Sequence, residues 1–171
     1  MKKLLMMFLA VALSGTSALA NDYDNDGVRW RSIVGVITTP SINNPVSTIN
    51  AGATAWTVRS GHASVNLRSG LTSFEVEGLV INGTAASGTP GAITTVVGSL
   101  ICSAGTTAQV ILDSTPVSLN EQGNARFFGH ISGVPASCAN PLFLVRIAAP
   151  AGAAGRWIAT GAERFVEDDR K

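Results

Sequence analysis

The sequence predicts an all-β fold, a single-domain antiparallel β-sandwich or barrel of roughly eight to ten strands with one disulfide bond. Runs of β-branched and aromatic residues recur about every 8 to 15 residues, and turn-forming Gly, Pro, Asn and Ser separate them. No window after the N-terminal apolar run keeps a helical period. The only two cysteines, Cys102 and Cys138, bracket the middle of the chain.

Residues 1–20 have the three parts of a secretory signal peptide. Met1-Lys2-Lys3 is basic, and Leu4–Leu13 is an apolar run much shorter than the roughly 20 residues that span a bilayer. Ala18-Leu19-Ala20 supplies small residues at the two positions that a signal peptidase reads. We therefore predict cleavage before Asn21 and export to the periplasm or the extracellular space; the alternative is an uncleaved anchor.

After cleavage the sequence divides into an acidic leader (21–27), a β-domain (28–166) and a charged tail (167–171). The mature chain of roughly 150 residues has the size of one domain. Its formal net charge is +1 and charged residues make up only 13% of the chain. Because phosphate binding needs a basic surplus, we predict no nucleic-acid partner. The mature part contains no predicted transmembrane segment. The candidate interactions are self-association and binding to a cell-surface partner.

Two cysteines in an exported chain predict a disulfide bond between Cys102 and Cys138. The chain-entropy model gives such a loop, about 37 residues long, a stabilisation of about 4 kcal/mol. The alternative is a pair of buried free thiols. A metal site is disfavoured because no second pair of soft ligands accompanies the cysteines.

Ten segments carry a strand pattern: 28–39, 54–59, 63–68, 73–82, 93–102, 109–113, 115–119, 125–131, 142–148 and 156–160. Ser60-Gly61 and Ser69-Gly70 read as turns, and the first of them predicts a hairpin between 54–59 and 63–68. In 73–82, Phe74 and Val76 fall on one face while Glu75 and Glu77 fall on the other. Segment 93–102 is apolar on both faces, as a central strand is.

Carboxylates alternate in Asp22-Tyr23-Asp24-Asn25-Asp26-Gly27, which resembles the first half of an EF-hand-like or thrombospondin-repeat calcium loop. The resemblance makes Asp22, Asp24 and Asp26 candidate calcium ligands. The position that would supply the bidentate acid holds Ile33 instead. The alternative is a solvated acidic leader, and no other cofactor is expected.

Two groups of residues are compatible with catalysis, although each has a simpler interpretation. A nucleophile, a base and an orienting acid could be drawn from Ser60, His62, His130 and Asp113. No Gly-x-Ser-x-Gly elbow accompanies these residues. Glu75 and Glu77 would stand roughly 7 Å apart, a separation that glycosidases use. We expect the histidines to have surface or packing roles and the two glutamates to form a solvent-facing strip.

Trp30, Trp56 and Trp157 are candidates for a sugar-stacking platform, but each lies inside a strand-like run, which predicts core packing. With no catalytic set expected, we predict a secreted or periplasmic non-enzymatic β-domain with a structural, adhesion or binding role. As a class it resembles secreted adhesion and pilin-like domains. One alternative is a fibre or pilus-like subunit whose first strand, 31–39, completes a neighbour's sheet. The other is a hydrolase with an unrecognised site.

Overall fold

The computed structural model of the chain describes residues 27–38, 43–107, 109–135, 137–148 and 154–166. Within these ranges the chain forms eleven strands and no helix, which confirms the predicted all-β class. The strands are β1 (Gly27–Gly35), β2 (Ala55–Thr57), β3 (Ser60–Asn66), β4 (Leu71–Glu77), β5 (Val80–Asn82), β6 (Thr95–Cys102), β7 (Val110–Asp113), β8 (Val117–Ser118), β9 (Ala125–His130), β10 (Leu142–Ala148) and β11 (Ala154–Val166).

Nine strands form one antiparallel sheet, in which eight follow the order β7-β6-β10-β11-β1-β3-β4-β9. The ninth, β8, pairs with β6. β2 and β5 form a separate two-stranded sheet. β1 is therefore a central strand, with β11 on one side and β3 on the other.

The large sheet curls into a half-barrel around one hydrophobic core. Phe74 on β4 and Phe143 on β10 have three strands between them in the sheet, yet their ring centroids are 5.6 Å apart. Phe143 also packs against Trp30 at 5.5 Å, and Phe74 against Phe127 at 5.8 Å. β6 crosses close to this aromatic cluster at Gly98, where an added Cβ would lie 2.6 Å from the Phe74 ring. Only glycine fits at that crossing.

Burial along β4 and β6 follows the predicted patterns. β6 is buried continuously from Val96 to Cys102, as expected for a central strand covered on both faces. In β4, Phe74 and Val76 are buried while Glu75 and Glu77 are partly exposed on the opposite face. The outer face of β4 is therefore polar and the inner face belongs to the core.

A disulfide bond joins Cys102, at the end of β6, to Cys138, in the loop between β9 and β10. The two Cα atoms are 4.7 Å apart, and Cys102 is buried. A hydrogen bond from the Ser103 N–H to the Ala139 carbonyl, 2.5 Å long, runs beside it. The predicted bond is thus confirmed, and the alternative of two free thiols is wrong.

The predicted hairpin between 54–59 and 63–68 is wrong. β2 pairs with β5, and β3 pairs with β4 through the turn at 67–70. Ser60 and Gly61 belong to β3 rather than to a turn, because Gly61 lies opposite Val76 in the ladder. A Cβ at Gly61 would lie 3.0 Å from the Cβ of Ile33, so this glycine allows close packing instead of a change in chain direction.

The segment predicted as one strand, 73–82, is broken at Gly78, which has a φ of 64°. The Gly78 N–H donates to Oδ1 of Asn124, and the Leu79 N–H donates to the carbonyl of Gly123. The turn at 120–124 therefore holds a bend that sends β4 and β5 into different sheets. This split adds the eleventh strand to the ten that the sequence predicted.

The predicted signal peptide (1–20), the charged tail (167–171) and the candidate calcium ligands Asp22, Asp24 and Asp26 lie outside the described residues. Gly27, the last residue of the predicted leader, already belongs to β1. In the described ranges the chain has no helix of the length and apolarity that crossing a membrane requires.

Candidate functional site

A cleft opens on the outer face of the sheet where β1 and β3 separate. Their ladder ends at the pair Trp30–Ala63, although β1 continues along β11 to Gly35 and β3 begins at Ser60. The resulting β1–β3 cleft has a volume of about 460 Å³ and is open to solvent. It is lined by Arg31, Ser32, Ser60, Gly61, His62, Glu75 and Glu77.

The β3–β4 ladder forms one wall of the cleft. Ser60 lies opposite Glu77, and His62 lies opposite Glu75. Residues directly opposite in an antiparallel pair share a face, so these four side chains stand together on the face away from the core. The prediction that Glu75 and Glu77 share an exposed strip is confirmed, and the structure adds Ser60 and His62 to it.

Glu77 is held in place by two donors. The Ser60 hydroxyl donates to its Oε2 at 3.0 Å, and the Arg59 guanidinium donates to the same oxygen at 3.3 Å. The hydrogen bond from Ser60 and the positive charge of Arg59 lower the pKa of the Glu77 carboxyl below its ordinary value. Glu77 is therefore a carboxylate at neutral pH, and the Ser60 hydroxyl is hydrogen-bonded to it.

We expect the Glu77 carboxyl to titrate below the ordinary glutamate value of 4.5. Because its pKa is lowered by folding, its small contribution to stability is present above the unfolded pKa and is lost as the pH falls through the folded pKa. Carboxyl-detected NMR titration measures the midpoint directly. Ser60→Ala removes the main donor and should move the midpoint upward; an identical midpoint in this variant contradicts the assigned cause.

Arg31 forms the opposite wall of the cleft, on β1. Its guanidinium carbon lies 4.4 Å from the centroid of the Phe165 ring on β11. This cation–π contact covers one face of the guanidinium and restricts its motion, while the N–H groups in its plane remain able to donate hydrogen bonds. The cleft thus has a fixed donor on one wall and a fixed acceptor on the other.

The nucleophile, base and orienter drawn from the sequence are not brought together. Asp113 lies on the edge strand β7, where it accepts hydrogen bonds from Ser99 at 2.5 Å and from Arg146 at 3.1 Å. Nδ1 of His130 lies 3.1 Å from the Ser69 carbonyl oxygen at the far end of β9. Only Ser60 and His62 of that set share the cleft, and Asp113 has a structural role beside the buried Arg146.

The three tryptophans lie in the core, with 2%, 4% and 5% of their surface exposed for Trp30, Trp56 and Trp157. The core-packing expectation is confirmed, so they provide no surface platform. Among the described residues, the exposed aromatic side chain is that of Phe128 on β9, which is 73% exposed and lies opposite Ser73. The alternation in β9 places Phe128 on the same outer face as Arg126, although no site was predicted there.

Across the described ranges, no group of three or more His, Cys, Asp or Glu side chains is arranged to hold a metal ion. Asp22, Asp24 and Asp26 are not among these residues, so the calcium hypothesis stays a prediction. Comparison with protein-family models, curated proteins and solved structures finds nothing that matches this chain.

Proposed function

We propose that the chain is an exported, non-enzymatic β-domain that binds a partner through the outer face of β1, β3, β4 and β9. One observation carries the proposal: the polar β1–β3 cleft lies on the same face as the exposed Phe128 side chain. A concave polar site beside an exposed aromatic residue is the arrangement of a binding surface.

Export is supported by the signal-like residues 1–20 and by the disulfide between Cys102 and Cys138. Disulfide bonds persist in oxidising compartments such as the periplasm and the extracellular space. The bond fits such a compartment, although it gives weaker support than the signal pattern does.

The state of Ser60 and Glu77 supports binding over hydrolysis. A nucleophilic hydroxyl needs a base strong enough to take its proton, whereas the lowered pKa of the Glu77 carboxyl makes the acceptor of the Ser60 hydroxyl a weaker base. A general acid needs a raised pKa, whereas the pKa of Glu77 is lowered by Ser60 and Arg59. Both groups are arranged as fixed hydrogen-bonding partners.

The binding face extends from the cleft to β9. Phe128 lies opposite Ser73. Ser73 is the neighbour of Glu75 on the outer face of β4, two residues away in sequence. Leu71, 37% exposed, is the diagonal neighbour of Phe128 on this face. A cell-surface partner would meet an apolar edge at β9 and a polar cleft at β1.

We favour this proposal over a fibre subunit that donates its first strand. β1 lies between β11 and β3 and buries Val28, Trp30 and Ile33. Donating it to a neighbour would remove a central strand from its own sheet. Size-exclusion chromatography distinguishes the two, since the binding-domain proposal expects a monomer and the fibre proposal expects open-ended oligomers.

The export part of the proposal predicts the N-terminus and the redox state of the mature protein. Protein recovered from the producing cell should begin at Asn21 and contain no titratable thiol. The intact mass identifies the N-terminus, and the mass change on alkylation counts the free thiols. Cytosolic protein that keeps residues 1–20 would overturn the proposal.

The binding part predicts that the mature protein co-sediments with envelopes of the producing cell. Phe128→Ser should reduce the sedimented fraction, because it removes the exposed aromatic side chain of the binding face. Val110→Ser is the matched control, since Val110 is an exposed apolar residue on β7, at the other end of the strand order. Equal retention of wild type, variant and control would count against the outer face.

A further inference from the structure

We propose that the β1–β3 cleft binds a neutral polyhydroxylated ligand, a saccharide chain. This inference rests on the binding role proposed above and names the chemical class of the ligand. Four properties of the cleft lead to it: its polar lining residues, its mixed charges, its partnered donors and acceptors, and one carboxylate without a hydrogen-bonding partner among the described residues.

All the residues that line the cleft are polar or glycine. An extended peptide that binds by strand addition relies on pockets for its alternate side chains. The β1–β3 cleft offers no apolar pocket of this kind, whereas sugar hydroxyl groups need only hydrogen-bonding partners. The lining therefore favours a saccharide over a peptide.

Both signs of charge surround the cleft. Arg31, the neighbouring Arg59 and Arg126 opposite Glu75 are positive, while Glu75 and Glu77 are negative. Cations and carboxylates side by side give the cleft no strong preference for an anion or a cation. A hydroxyl group both donates and accepts hydrogen bonds, so a polyol can satisfy the guanidinium and the carboxylates at the same time.

Two of the charged groups are already fixed before a ligand arrives. Arg31 stacks on Phe165 at 4.4 Å, and Glu77 accepts from Ser60 at 3.0 Å and from Arg59 at 3.3 Å. Side chains that are held in place lose little conformational entropy on binding, which removes part of the cost of association. The cleft is in this sense prepared for hydrogen bonding.

Glu75 is the acceptor that remains available. It lies between His62 on β3 and Arg126 on β9, and within the described residues its carboxylate forms no hydrogen bond or ion pair. A carboxylate can accept from two neighbouring hydroxyl groups, a pattern that adjacent sugar hydroxyls match. Glu75 is therefore the residue whose loss should weaken binding most.

The size and surroundings of the cleft suit a chain longer than one sugar. Its volume of about 460 Å³ lies within the roughly 300 to 1,000 Å³ of small-ligand sites, and it is open rather than enclosed. Phe128 is the diagonal neighbour of Glu75 on the same face, at the β9 side. Its exposed ring can stack against the apolar face of a further sugar ring.

The test is an NMR titration of the mature, disulfide-bonded protein with three neutral probes: cellohexaose, maltohexaose and hexa-N-acetylchitohexaose. At least one should shift the amide signals of Ser32, His62 and Glu75 with a dissociation constant of about 1 mM, the range of a shallow site with few contacts. A blocked Ala-Ser hexapeptide serves as the peptide arm and should leave these signals unchanged.

Glu75→Gln should weaken binding of the active probe about tenfold, the equivalent of about 1.4 kcal/mol. Glu121→Gln is the matched control, since it removes the same charge in the turn after β8, outside the cleft, and should bind like the wild type. Absence of shifts with all three saccharides at about 10 mM overturns the proposal. So does binding of the peptide alone, or unchanged affinity in Glu75→Gln.

These outcomes are independent of the tests of the proposed function. The titration of purified protein tests saccharide binding. The mature N-terminus tests export, and the sedimentation with envelopes tests partner binding. A protein that is exported and sediments through Phe128, but binds no saccharide, keeps the proposed function and loses only the ligand class.

Discussion

Replacing Cys102 and Cys138 together by serine is expected to lower the free energy of unfolding by about 4 kcal/mol. The bond ties the loop between β9 and β10 to the end of β6 across a sequence separation of 36 residues. Without it the unfolded chain gains the freedom that the cross-link removes. The folded loop also loses the anchor that holds it beside the buried end of β6.

Thermal unfolding followed by circular dichroism measures this effect. A loss of about 4 kcal/mol should lower the Tm by about 15 °C in a domain of this size. A reductant should destabilise the wild type to a similar extent and leave the double serine variant unaffected, which controls for side effects of the reagent. Equal melting of wild type and variant contradicts a stabilising role for the bond.

Phe143→Ala is expected to destabilise the fold by about 3–5 kcal/mol. The Phe143 side chain is 0% exposed and contacts the rings of Trp30 and Phe74, so its removal leaves a cavity inside the curl, between β10 and β4. Urea denaturation measures the change as a shift in midpoint at constant slope.

Phe128→Ala provides the matched control for this second substitution. Phe128 carries the same side chain at 73% exposure on β9, so its truncation should change stability by no more than about 0.5 kcal/mol. Comparable losses in the two variants would mean that the core does not lie on the Phe143 side of the sheet.

The sequence predicted strands well where a local pattern determines them. Alternation placed Phe74 and Val76 inside and Glu75 and Glu77 outside in β4, and the apolar run of β6 indicated a central strand. These signals depend only on side chains within one strand. The cysteine pairing could be predicted because the chain contains only two cysteines.

Strand pairing was harder, because it depends on residues distant in sequence. Ser60-Gly61 has turn composition, yet its neighbours in β4 and Ile33 in β1 make it part of a strand. Gly78 bends the chain because Asn124 and Gly123, more than forty residues later, supply the hydrogen bonds that hold the bend. A single sequence does not reveal such long-range partners.

The candidate site was predicted in pieces. The sequence pointed to Ser60 with His62 and to Glu75 with Glu77, but as two separate catalytic hypotheses. The cleft that unites them exists because the β1–β3 ladder ends at Trp30 and Ala63, a property of the pairing. The placement of Arg31 over Phe165 likewise follows from the pairing of β1 with β11, which no local pattern encodes.

The most direct test of the curled sheet is a nuclear Overhauser effect between the ring protons of Phe74 and Phe143. In a flat sheet, four steps of about 4.8 Å between neighbouring strands would separate β4 and β10 by about 19 Å, too far for any such signal. In the curled sheet the ring centroids are 5.6 Å apart, so a cross-peak between the two rings is expected. With both rings assigned, its absence would contradict the half-barrel and the single core on which the outer binding face depends.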